Sequence, residues 1–216
     1  MEKEDVKAVS NLPVVQPPPV PIGGTVITPA ALFRVPARRP LEDGPWRGEY
    51  EKISWIDRAT GLNCIILRQR DGTLSGYVGV EIAHPLFGYA HEAVPDALGL
   101  HVHGGLTYAS RCEAKVPEPI SVCHTPSRPA KKPQLNLAHR SIEEDVWWFG
   151  FDTNHETDMV PMGQNRALRE SGQTYRDQHF VYRECVRLAA GLAAIARGRT
   201  VDPEPAVADD AAGDEA

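Results

Sequence analysis

The dipeptide Asp71-Gly72 lies between two apolar runs and leaves them one sensible arrangement. Asn63 to Gln69 carries Cys64, Ile65, Ile66 and Leu67; Leu74 to Glu81 carries Tyr77, Val78 and Val80. Asp and Gly both tolerate the positive φ of a tight hairpin turn, so the runs read as adjacent antiparallel strands. Tyr50 to Asp57, with Ile53 and Trp55 on one face, adds a strand before them. Leu98 to Tyr108 alternates partly and reads as another, broken locally by Gly104-Gly105. Asp145 to Phe151 is rich in aromatic residues that favour a pleated, buried surface.

The last element is a helix from about Tyr175 to Arg197. Val181, Cys185, Leu188, Leu192 and Ile195 recur at helical spacing, Thr174 is placed to cap the start, and Gly198 to end it. The pattern predicts an α+β domain: a mostly antiparallel sheet of about four or five strands with the C-terminal helix packed on it.

The domain is expected to span residues 46–198. Nine of the 19 prolines lie in residues 1–45, which predicts an extended or disordered arm. Residues 201–216 hold six acids and no base, while residues 1–200 hold 23 of each, so the net charge of -6 belongs to the tail. Residues 199–216 read as a solvated acidic end. A basic loop over residues 127–142, with Arg128, Lys131, Lys132 and Arg140, interrupts the domain. A sequence pI of about 5.8 argues against nucleic acid as a global partner. The apolar runs are too short to cross a bilayer, and no apolar stretch follows the acidic first residues, so the expectation is a cytoplasmic protein without membrane contact. Cys64, Cys112, Cys123 and Cys185 are then expected as thiols.

Two stretches carry candidate chemistry. In His101-Val102-His103-Gly104-Gly105, a strand would turn both imidazoles to one face, as half of a metal site; one packed and one exposed histidine is the plain alternative. Asp152-Thr153-Asn154-His155-Glu156-Thr157-Asp158 follows the aromatic strand, where a rigid support commonly presents functional groups. Asp152 and Asn154 can also serve as caps of the turn, a role that suits His155 and Asp158 less. His124 reads as a further ligand, a general base or a buried loop histidine, and His84 before Pro85 as a turn residue. A cysteine nucleophile is the weaker idea, since nothing marks a nucleophile elbow; Cys112 paired with His103 or His124 is its best form.

Several strings occur together and in order: Gly76-Tyr-Val-Gly-Val80, His84-Pro-Leu, Val102-His-Gly-Gly-Leu-Thr107, Val122-Cys-His-Thr-Pro126, and Val146-Trp-Trp-Phe-Gly-Phe-Asp152 followed by His155 and Asp158. With Tyr175-Arg176-Asp177, Tyr182 and Cys185, they resemble an uncharacterised family of tailed-bacteriophage and prophage proteins over about residues 50–195. The resemblance implies a viral or prophage setting, hence a host cytoplasm, and no defined chemistry. It places His84, His103, His124, Asp152, His155 and Asp158 inside the shared strings and leaves His91 and His101 outside, which favours His103.

Two functions are therefore expected as alternatives. In the first, His103, Asp152 and His155 hold a divalent metal, with zinc the candidate by donor type, while His124 and Asp158 serve hydrolysis of a phosphoester or nucleotide. In the second, the protein is not an enzyme: it sequesters a small molecule or inhibits a host defence protein, and the same polar groups line a pocket or stabilise the fold.

Overall fold

The computed structural model describes residues 17–112, 116–123, 146–163 and 172–199. Its centre is an antiparallel sheet of six strands in the order β3-β4-β5-β6-β8-β7. These are β3 (Ala31–Phe33), β4 (Lys52–Ile56), β5 (Asn63–Arg68), β6 (Leu74–Glu81), β7 (Tyr108–Arg111) and β8 (Val146–Asp152). A separate two-stranded hairpin precedes them, β1 (Val20–Ile22) with β2 (Thr25–Ile27). The α+β class is as expected, with more strands than four or five.

The Asp71-Gly72 hairpin forms between β5 and β6, pairing Arg68 with Leu74 across the turn. The loop is longer than the dipeptide. Gln69 N–H donates to Thr73 O at 2.8 Å, and Asp71 Oδ1 accepts from the Thr73 N–H and hydroxyl at 3.0 and 2.6 Å. Gly72 supplies the left-handed residue at φ 85°.

The sheet is covered on both faces, which is why β5 and β6 are apolar without alternation. One face presents Ile53, Trp55, Cys64, Ile66, Val78, Phe149 and Phe151 to α1 (Gln178–Ala196), which buries Val181, Cys185, Leu188, Leu192 and Ile195 there. At Gly76 a side chain would overlap the Phe151 ring and the Cys185 sulfur, so its absence lets the helix approach. The other face holds Ile65, Leu67, Tyr77 and Trp148 against Val122. Buried Lys52 fastens that covering segment: its ammonium donates to Glu118 O at 2.6 Å and Cys123 O at 2.8 Å. Among the described residues, no helix is long and apolar enough to cross a membrane.

Four expectations are corrected. Residues 20–33, assigned to a disordered arm, form β1, β2 and β3. Pro21 is tolerated because β1 has only one ladder partner. The strand expected over Leu98 to Tyr108 is a 3-10 turn at Asp96–Leu98 followed by an irregular loop, and pairing starts only at Tyr108. Left-handed Gly99, Gly104 and Gly105 break the extended backbone there. The helix begins at Gln178 with Asp177 as its cap, whose carboxylate accepts from Phe180 N–H at 2.7 Å; Thr174 instead pairs with Asp158. Cys112 and Cys123 are disulfide-bonded, with Cα atoms 5.0 Å apart, so only Cys64 and Cys185 are free thiols. That bond also removes the thiol a Cys112 nucleophile would need. Residues 1–16, the basic loop 127–142 and the acidic tail from residue 200 lie outside the described residues.

Candidate metal centre

Three segments distant in sequence meet beside the start of α1. The loop before β7 supplies His103, the loop after β8 supplies His155 and Asp158, and the segment entering α1 supplies Arg176.

Each segment is held by its own backbone. Asp158 N–H donates to His155 O at 2.9 Å, closing a tight turn that sets the two side chains together. The strand-like pairing of Asp158 with Thr174 fixes that turn to the approach of α1: Met159 N–H donates to Thr174 O at 2.9 Å, and Thr174 N–H to Thr157 O at 3.0 Å. The His103 loop is anchored from the helix, where Glu184 Oε2 accepts the His103 backbone N–H at 2.8 Å and Arg187 pairs with Glu184 at 3.1 Å. Gly104, at φ 67°, lies against the His155 ring so closely that any side chain would overlap it.

Asp158 is the hub and is fully buried. Its Oδ2 accepts from His103 Nε2 at 2.7 Å and from the His155 backbone N–H at 3.1 Å, while Oδ1 accepts from Arg176 Nε at 2.9 Å. Burial alone would raise its pKa. The hydrogen bonds from His103 and Arg176 outweigh burial and hold the carboxyl below its ordinary value. The His103 ring stacks edge-on with His155 and with Phe180, centroids 5.2 and 5.1 Å away. His155 Nε2 is buried with no hydrogen-bond partner.

One ligand atom from each of His103, His155 and Asp158 lies within 4.8 Å of the others, so the trio could hold a metal ion. Two imidazoles and a carboxylate are a donor set of the kind that binds zinc and related divalent ions. Bonds near 2.1 Å would put tetrahedral ligand pairs about 3.4 Å apart, so these atoms would have to adjust their spacing to hold a cation.

The structure distributes the other expected site residues elsewhere. Asp152 stands outside the trio: it accepts from the Ser75 hydroxyl at 2.6 Å and the Thr107 hydroxyl at 2.8 Å, tying β6 to the loop before β7. Its two oxygens are thus engaged on the sheet face away from the helix. Asp158 takes the carboxylate place in the trio. His101 is exposed and absent from the trio, because its segment is not a strand. His84 staples the loop after β6 to the helix; its Nδ1 accepts from Leu86 N–H at 3.1 Å, so Nε2 carries the proton donated to Leu192 O at 2.9 Å. His124 lies outside the described residues.

Sequence reasoning missed Arg176, Phe180 and Glu184. Arg176 lies in the Tyr175-Arg176-Asp177 string but carries no chemical signal of its own. Phe180 and Glu184 are four residues apart and hence on one helical face, a spacing that could have marked a face turned toward a polar site. No protein-family model, curated protein or solved structure matches this chain.

Proposed function

We propose that this is a phage- or prophage-type hydrolase that uses a divalent cation, zinc by donor set, bound by His103, His155 and Asp158 to cleave a phosphoester or nucleotide. The observation that carries the reading is the meeting of three ligand atoms from two remote loops, one of them on a buried carboxylate, with His155 Nε2 left unpartnered. The ordered strings that resemble phage proteins support the setting.

His103, His155 and Asp158 would hold the cation, and a divalent ion held by three protein ligands would supply activation of water near neutral pH. In the cation-free form a proton on His103 Nε2 bridges to Asp158. A cation bound between them would take the place of that proton, with the imidazole protonated at Nδ1 instead so that it serves as a neutral ligand. Glu184, bonded to the His103 backbone and to Arg187, positions the loop that carries His103. The guanidinium group of Arg176, bonded to Asp158, suits an anionic substrate.

The test is cation-dependent release of phosphate or nitrophenol from aryl phosphoesters and nucleotides. Activity should require zinc or manganese, vanish with chelator, and be absent from the His103→Ala/His155→Ala double variant. Activity that survives both treatments would contradict the assignment.

A second reading draws on one observation: Asp158 already accepts three hydrogen bonds. A saturated carboxylate can simply tie three loops together, leaving a non-enzymatic protein that sequesters a small molecule or blocks a host protein. Capture of a host protein by a double variant that remains folded and never held metal would favour it.

A further inference from the structure

We propose that Arg176 is the substrate-anchoring residue of this centre and that it selects a dianionic terminal phosphate, that is, a phosphomonoester. The inference rests on the metal-dependent reading above and narrows its substrate class.

Arg176 is held by two contacts. Its Nε donates to Asp158 Oδ1 at 2.9 Å, and its guanidinium carbon lies 4.7 Å from the centroid of the Phe180 ring. The residues around it are fixed as well. Thr174 is paired to Asp158, the Tyr175 hydroxyl donates to Glu49 Oε2 at 2.6 Å, and Gln178 N–H donates to Glu49 Oε1 at 2.9 Å. Glu49 is itself anchored by the buried Arg68 at 2.6 Å. The guanidinium is therefore positioned before any ligand arrives, which spares the ordering cost of a long side chain.

Only Nε is engaged. Nη1 and Nη2 of Arg176 have no hydrogen-bond partner among the described residues, and the side chain is 16% exposed. An anchored guanidinium with a free pair of donors is built to grip an oxyanion bidentately. It shares one carboxylate with the proposed cation: Oδ1 meets Arg176, and Oδ2 faces the two histidines. A group bound by the Nη donors would thus lie beside the carboxylate proposed to hold the cation.

Charge decides which oxyanion fits. Neutral histidine ligands contribute none, and Glu184 is compensated by Arg187. A divalent cation and Arg176 against the single Asp158 charge leave two positive charges. A terminal phosphate carries close to two negative charges at neutral pH and balances them. A carboxylate or an internal phosphodiester carries one and does not.

The experiment uses the full chain loaded stoichiometrically with zinc, titrated calorimetrically with inorganic phosphate and, separately, with acetate. Arg176→Gln is the informative variant, because the glutamine amide nitrogen occupies the place of Arg Nε and can keep the bond to Asp158 while the charge and both Nη donors are gone. Zinc content should be unchanged in Arg176→Gln, and phosphate affinity should fall about tenfold or more, in keeping with loss of charged hydrogen bonds. Arg176→Lys, which keeps charge without the fork, should recover part of it. Wild-type protein should bind phosphate more tightly than acetate. Metal-loaded protein whose phosphate affinity is the same in Arg176→Gln, or no better than for acetate, overturns this assignment alone. A wild type that takes up no zinc overturns the metal reading and this inference with it.

Discussion

At the scale of single residues, the site depends on what is absent at position 104 as much as on its ligands. A side chain at Gly104 would overlap the His155 ring, and the φ of 67° already disfavours one. Gly104→Ala should therefore weaken zinc binding sharply while leaving a folded protein, as read by metal titration with circular dichroism as control; unchanged affinity would show that the His155 position is not critical. Lys52 is a different kind of buried residue. Burial pushes its amino group down to about 8 from an unfolded value of 10.5. Between those values the unfolded chain binds the extra proton, so this group's contribution to stability rises with pH. Wild type should gain stability relative to Lys52→Met when urea unfolding is compared at pH 8 and pH 10; a gap that does not change would contradict the assignment. The comparison with the variant matters because buried Cys64, Cys185 and Tyr77, whose pKa values are raised, contribute the opposite slope. Part of this residue chemistry was legible in sequence. His103, His155 and Asp158 lay in strings with no evident capping duty. Spacing alone does not show that Ser75 and Thr107 donate to Asp152, nor that Asp158 is the carboxylate that meets the histidines.

At the scale of elements, legibility followed how much of the signal was local. The β5–β6 hairpin, the aromatic β8 and the helix were readable because periodicity and turn chemistry are local properties. β1, β2 and β3 were not, because proline density argues against regular structure unless a strand lies at an edge. The loop before β7 was misread because apolar alternation survives in sequence where glycines break the backbone. The helix start shows the same limit. Thr174 and Asp177 are both plausible caps, and only the pairing of Thr174 with Asp158 decides between them. Asp177→Ala should cost about 1 kcal/mol in chemical unfolding, the usual loss of a cap. Because the same turn presents Arg176, it should also weaken phosphate binding more than zinc binding. A variant as stable as wild type would contradict the capping role.

At the scale of the whole molecule, the six-stranded sheet is a frame that brings three remote loops to one point beside the helix. Two buried faces give it rigidity: α1 lies on one, and on the other a segment is fastened by Lys52 and by the Cys112–Cys123 bond. Arg176, Phe180 and Glu184 join the site only through this packing, so no reading of spacing along the chain could have gathered them with His103. The central claim is that the gathered residues hold a cation. The direct measurement is elemental mass spectrometry of purified, tag-free protein, as prepared and after exposure to zinc, manganese or iron followed by desalting. The account predicts about one metal ion per chain, released by chelator and missing from the His103→Ala/His155→Ala double variant. Protein that retains no metal after every exposure, or a double variant that retains it as well as wild type does, would contradict the account.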